Sequence, residues 1–388
     1  MPMLAELVDA VVGVDTHRDT HEVEIALPSG APIRTRKINN DSSGFAELLA
    51  WIGDHAPGPR VVVSIEGTRS YGVGLARAVA AAGLIVIECE QPNGKARRGK
   101  GKSDPIDAHL AVLAALRLDA DRLPVPRADG DREALRILLG ARHELTVATT
   151  AQTNRLRALL LGGEDTERDL ARATLTDRVL VAVARRREPR QASREQAVRH
   201  GEIRRLALAV RAGRDALATN RAQLQTIVDE IAPALTERRG IGAVTAAQTI
   251  VSFSHPGRCR SDAAFAALSG TSPVQASSGQ TVRHRLNRGG DRALNRAIPT
   301  IALTRIRSCP TTKEYVARRT AEGKSSREIR RCLKRYIARE LYRVLNASTT
   351  FAAQTPTTVR LSGRPGGRWQ AGPAVRNDSL TNWPLTFF

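Results

Sequence analysis

Residues 60–65 read RVVVSI, an uninterrupted β-branched run closed by Glu66. Such a run suits a central strand buried on both faces, and a strand of that kind needs helices covering its sheet on either side. A second short run, residues 11–15 (VVGVD), ends on Asp15 in the same way. Residues 22–28 and 33–39 follow as two more strands around the turn Pro28-Ser29-Gly30, so a hairpin meander opens the domain. Asp41-Ser42-Ser43 supplies N-cap chemistry for a helix through Ala46, Leu48, Leu49 and Ile52. Residues 72–82 then read as helix and 84–90 as strand, and a further helix starts near Ser103 and runs through Ile106, Leu110, Leu113 and Leu116. By analogy of pattern, three strands, helix, strand, helix, strand, helix is the order of an RNase H-like architecture.

Beyond this α/β domain, placed at residues 1–125, the pattern turns helical. Residues 126–236 carry apolar stripes at Leu135, Leu138 and Leu139, at Leu156, Leu159 and Leu160, and at Leu217, Leu224, Ile227 and Ile231. They predict a long helical hairpin or coiled coil, bent at Gly162-Gly163 and in the charged segment 185–194. A third region, 237–346, opens on GIGAVTAAQTIVSF, which reads as a plain helical turn or as a glycine turn offering backbone N–H groups to phosphate. It closes on a basic amphipathic helix over 325–345 with an apolar face of Ile329, Leu333, Tyr336, Ile337, Leu341 and Val344. Residues 347–388, rich in Thr, Pro and Gly, predict a disordered tail.

Charge narrows the partners. Lys and Arg number 60 against 39 Asp and Glu, a net +21, which points to a polyanion and first to nucleic acid. Aromatics at 3% speak against base stacking on aromatic platforms, so Arg and Lys reaching phosphates should dominate. No apolar run of membrane-spanning length and no signal-peptide pattern is present, which predicts a soluble, cytoplasmic protein with no membrane partner. The four cysteines lack metal-binding or disulfide spacing and read as small core residues.

Four acids stand out by position: Asp15 and Glu66 at strand ends, and Asp104 and Asp107 at i and i+3 in the first turn of a helix, on one face of it. Hard oxygen ligands on adjacent strand ends and a nearby helix are what two magnesium ions need for phosphodiester chemistry, with the metals about 3.5–4 Å apart. Asp104 and Asp107 also have a bland reading, as acids complementing a helix dipole. Asp15 and Glu66 are harder to dismiss, since a carboxylate closing an apolar strand loses hydration for no return. Glu24 is the nearest substitute, and His17, His21 and His109 read as structural or solvated. The glycine-rich basic loop 94–102, with Lys95, Arg97, Arg98, Lys100 and Lys102, leads into the Asp104 helix.

A second constellation is Ser277-Ser278-Gly279, followed by Arg283, His284, Arg285, Arg288 and Arg292. A serine beside glycine with guanidinium groups behind it can be a nucleophile on a phosphodiester or a phosphate-binding turn. Arg331, Lys334 and Arg335 on the last helix, with Arg330 and Arg339, are candidates to hold nucleic acid or form a solvated face.

Several linked motifs bring a family into view: GVDTHRDTH, SIEGTRSYG, KSDPIDAHLA, GIGAVTAAQTI, LSGTSPVQASSGQ, RLNRGGDRALNRA and EIRRCLKRYIARELYRVL. In this order they resemble the transposases of the insertion-sequence one-ten family, related to the Piv DNA invertase, over residues 11–345. The resemblance implies a RuvC-like DEDD domain whose tetrad Asp15, Glu66, Asp104 and Asp107 binds magnesium, and a mostly helical C-terminal domain with a nucleophilic serine, Ser278 by its place before Gly279. It also implies DNA partners at the element ends and the target, a structured guide RNA encoded by the element, dimers pairing into tetramers, and a bacterial, nucleoid-associated protein. A junction-cutting nuclease that uses water, its serine only binding phosphate, is the competing expectation. A catalytically silent nucleic-acid-binding protein is the third.

Overall fold

The computed structural model describes residues 2–89, 104–120, 123–127, 129–187, 191–256, 258–275, 277, 284–285, 287 and 289–347, with the side chains at 104, 105 and 284 excepted. The described residues divide into two compact units, one within 2–127 and the other within 129–347. The basic loop 94–102, the expected cap Ser103 and the tail from 348 onward lie outside the described residues.

In the first unit, β1 (Ala10–Thr16), β2 (Thr20–Ala26) and β3 (Pro32–Asn39) form an antiparallel meander, and β4 (Val61–Glu66) and β5 (Ile85–Cys89) add to it in parallel, giving the sheet order β3-β2-β1-β4-β5. Helices α1 (Ser42–His55), α2 (Val73–Ala81) and α3 (Asp104–Leu116) cover the sheet. The Asp41 carboxylate caps α1 by accepting from Gly44 N at 2.8 Å, as the sequence suggested. Every residue of β4 is buried, which is the both-face burial that its β-branched run required.

Because side chains alternate along a strand, the sheet has two unlike faces. Val12, Val14, Val23, Ile25, Val63 and Ile65 pack with Leu48, Trp51 and Ile52 of α1 and Leu75 and Val79 of α2. On the opposite face Val11, Ala26, Val62 and Ile87 meet Val112, Ala115 and Leu116 of α3. Each buried Val, Leu or Ile contributes about 1.5–3 kcal/mol, so both layers are needed to offset the ordering of a sheet this size.

The second unit is built on α4 (Gly130–Leu161) and α7 (Arg194–Ile231), which run antiparallel. Asn220 Nδ2 donates to Leu138 O at 2.9 Å near one end, and Arg199 Nη1 to Gly162 O at 2.6 Å near the other. A Cβ at Gly213 would stand 2.3 Å from Thr149 Oγ1, so glycine lets the two backbones approach there. At one end α5 (Asp165–Arg172) and α6 (Asp177–Arg185) enclose a core of Leu156, Leu160, Leu180, Val183, Leu206 and Val210. At the other, Leu135, Leu224, Val228 and Ile231 join a core shared with α8 (Pro233–Thr236), α9 (Ala243–Phe253), α10 (Asp262–Leu268), α11 (Leu294–Ser308) and α13 (Ser326–Ala347). Helix α12 (Pro310–Ala321) lies between the last two in sequence, and a two-residue ladder pairs β6 (Val274–Gln275) with β7 (His284–Arg285).

Two expectations fail here. Cys89 and Cys259 are core residues, but Cys309 is partly exposed and Cys332 exposed. Tyr336 does not join the buried face of α13: Ile329, Leu333, Ile337 and Leu341 do, while Tyr336 is 56% exposed. Its position lies to one side of the stripe, and its hydroxyl tolerates water. No helix among the described residues is long and apolar enough to cross a membrane.

Candidate functional site

The face of the sheet beneath α3 carries the acids. Asp15 shares its strand face with Gly13 and Val11, and Glu66 shares its own with Ser64 and Val62. β1 and β4 pair in parallel through Gly13↔Ser64 and Val14↔Ile65, so one further step sets Asp15 beside Glu66. Both are buried, and Thr16 Oγ1 donates to Glu66 O at 2.9 Å, tying the two strand ends together.

Helix α3 lies directly on this face because Gly13 has no side chain. A Cβ there would stand 2.2 Å from Ala108 O and 2.7 Å from Val112 Cγ2. Ser64 Oγ reinforces the contact by donating to Ala111 O at 3.1 Å. Asp107, the residue before Ala108, stands one residue from that contact, and it too is buried. A lone glycine inside VVGVD was the signal for this close approach, and sequence reasoning passed over it. The backbone of Asp104 opens α3, one turn from Asp107 on the same helix face; its side chain lies outside the described set.

The neighbouring acids are engaged elsewhere. Glu22, opposite Asp15 in the ladder, pairs with Lys37 at 3.2 Å. Glu24, the substitute weighed from sequence, is buried and meets His109 Nδ1 at 2.6 Å. Asp19 is exposed and paired with Arg18. His17 Nε2 sits 3.1 Å from Asp15 Oδ2. His21 turns to the other face, stacked on Phe45 with ring centroids 6.2 Å apart, and burial pushes its imidazole below the usual histidine range.

For a divalent cation, the donors are of the right kind: buried, hard carboxylate oxygens on one face, held by a rigid strand pair and a helix. Among the described residues no three or more His, Cys, Asp or Glu are drawn together as a finished cage. The residues present fit the ion in the chemistry of their donors.

The serine segment lies in the second unit. β6 and β7 pair through Val274↔Arg285 and Gln275↔His284, so residues 276–283 form the connection between them. Ser277 is exposed; Ser278, Gly279, Arg283 and Arg288 lie outside the described residues. The base of this hairpin is held firmly. Asp291 N donates to Leu268 O at 2.8 Å, and the Asp291 carboxylate accepts from Ala293 N, Leu294 N and Ser252 Oγ. Gly290, at φ +91°, could not carry a side chain, since its Cβ would lie 2.3 Å from Leu268 O. Gly290 and Asp291 in the NRGGD motif thus hold the segment after β7 against the end of α10, a feature not read from sequence.

Of the basic candidates, Arg285 and Arg292 are exposed. Arg331 is exposed on α13, and Arg335 Nη1 donates to Ser272 Oγ at 2.6 Å. Burial, followed by repulsion from Arg331 and Arg330, pushes the Lys334 ammonium below its usual range. Arg285, Arg331, Lys334 and Arg335 line a cavity of about 450 Å³ between α13, the end of α12 and the β6–β7 hairpin. The basic loop candidates Lys95, Arg97, Arg98, Lys100 and Lys102 lie outside the described residues.

A model of the IS110-type DEDD transposases, described as transposase, matches residues 12–163, a span that contains all four acids. A second, described as transposase IS116/IS110/IS902 family, matches residues 232–317, which contain the serine segment. The chain is also 24% identical over 408 residues to a Streptomyces coelicolor protein named insertion element IS110 uncharacterized 43.6 kDa protein, covering 92% of this chain and 99% of that one.

Proposed function

The chain belongs to the IS110 family of transposases, and from that premise we propose that it cuts and rejoins DNA strands with an acidic centre in its first unit and a serine nucleophile in its second. The observation that carries this reading is the position of Asp15 and Glu66 on neighbouring strands of one sheet face, with Asp107 buried one residue from where α3 meets Gly13. The strand order supports an RNase H-like, RuvC-like domain.

Asp15, Glu66, Asp104 and Asp107 hold the divalent ion, magnesium by the chemistry of their oxygens. When bound, that ion supplies Lewis-acid stabilisation of charge on the phosphate and the departing oxygen. Thr16 fixes the two strand ends, and α3 shields the acids from water. Ser278 attacks phosphorus: the bond from its oxygen to phosphorus forms as the bond to the 3′ oxygen breaks, the serine proton passes to water and the 3′ oxygen takes one up. The phosphoserine bond conserves the energy of the original linkage, so the reverse attack by a new 3′ hydroxyl rejoins strands without a nucleotide cofactor.

Lys95, Arg97, Arg98, Lys100 and Lys102, with Arg283, Arg285, Arg288, Arg292, Arg331, Lys334 and Arg335, grip phosphates of the element ends and target and of a structured guide RNA encoded by the element. The net charge of +21 supports such a polyanionic load. The working form is a dimer or a pair of dimers.

The test is to incubate the protein with magnesium, RNA transcribed from the element's flank and labelled DNA, then separate the products under denaturing conditions. A protein–DNA adduct that persists in Ser277→Ala and vanishes in Ser278→Ala is expected. Cleavage without an adduct would mean that water is the nucleophile and the protein is a junction-cutting nuclease.

A further inference from the structure

We propose that the cavity between α13 and the β6–β7 hairpin holds one unpaired nucleotide, its phosphate on the cations of α13 and its base against Tyr336. This deepens the backbone grip assigned to α13 above, and rests on nucleic acid being the ligand of that unit.

A volume of about 450 Å³ lies in the range of sites that enclose a small organic group, roughly 300–1,000 Å³. A groove that only tracks phosphates needs no apolar walls. This cavity has both kinds of wall. Arg285, Lys324, Arg331, Lys334 and Arg335 supply the cations, and the acid among the lining residues, Glu328, is taken up by the backbone N and the hydroxyl of Ser325. The depressed ammonium of Lys334 reports cations crowded together on a partly dry surface, an arrangement that a bound anion relieves.

Pro273, Ile329 and Tyr336 make the apolar part. Tyr336 is exposed although it stands on a helix whose other large apolar residues are mostly buried. Its ring packs edge to face with Tyr315, centroids 6.0 Å apart and planes at 88°, which leaves a face open to the cavity side. A flat π-system within reach of an anion is what a nucleotide offers, and a base stacked on tyrosine is worth about a tenfold gain in affinity or more. Pro273 directly precedes β6 and Arg285 ends β7, so a strand seated here passes along the hairpin whose connection contains Ser277 and Ser278. An extruded nucleotide at this point would set the register of the strand relative to the serine segment.

The experiment uses the full chain and three labelled pentamers: pentathymidine DNA, the same strand with an abasic centre, and the ribose form, each titrated by fluorescence anisotropy at raised salt. Comparing intact with abasic DNA cancels phosphate binding elsewhere on the basic surface. Wild type is expected to bind the intact strand about tenfold tighter than the abasic one; Tyr336→Ala removes that preference and Tyr336→Phe keeps it. A preference for the deoxy or the ribose strand then identifies which nucleic acid the site takes. Equal binding of intact and abasic strands by wild type, or equal weakening of both by Tyr336→Ala, overturns the pocket and leaves the backbone grip standing; no binding of any pentamer overturns both. A 5-iododeoxyuridine pentamer photocrosslinked to wild type, mapping to a peptide that contains Tyr336, gives the same answer without a variant.

Discussion

The two faces of the five-stranded sheet come from the same strands, yet they are built for different ends. The face under α1 and α2 is an apolar layer of valine, isoleucine and leucine. The face under α3 interrupts its apolar residues with Asp15, Glu22, Glu24, Ser64 and Glu66. Alternation along β1 puts Val12 and Val14 on the first and Gly13 and Asp15 on the second, so the apolar layer and the candidate acids are separated by one residue. Substitutions on the first face should cost folding, and those on the second should cost reaction.

The largest difference is expected for the acids. Asp15→Asn and Glu66→Gln keep shape and burial, so melting temperature should change little while strand cleavage falls by about 10²–10³-fold. An equal loss in thermal stability would erase the distinction between the faces. Leu48→Ala, on the apolar side, should show the reverse: a loss of about 2–5 kcal/mol in denaturant unfolding, with cleavage by the folded fraction preserved.

Gly13→Ala stands between these cases. Its new methyl collides with backbone at Ala108, which cannot turn aside as a side chain would. It should cost about 1–3 kcal/mol, and cleavage should fall further than that loss explains, because α3 carries Asp107.

The smallest effect sharpens the comparison from inside the apolar face, where His21 is a buried polar residue. Burial holds its pKa below the ordinary value, so below about pH 6.5 the unfolded chain binds more protons than the folded one. Stability should therefore fall as pH drops through that value, and His21→Gln should flatten the slope between pH 7.5 and 5 in guanidinium titrations.

Much of this was legible in the sequence because the signals are local. The β-branched runs located the central strands, Asp41 its helix start, and Gly162-Gly163 the end of α4. The acids were legible as candidates because charge at the end of an apolar strand is conspicuous. What escaped was long-range or geometric. His109 meeting Glu24 joins residues 85 apart. The core of α5 and α6 draws on short helices whose partners, Leu156 and Leu206, lie on other helices. Tyr336 was misassigned because helical spacing says which residues are neighbours and not where a wide apolar stripe ends.

The most direct test of the central claim, that the acidic face is where strands are cut, is cleavage of labelled element-end DNA by Asp107→Asn in magnesium. The account predicts DNA binding and melting temperature like wild type, with no cleaved product and no protein–DNA adduct. Cleavage at the wild-type rate would contradict it and move the chemistry away from the sheet.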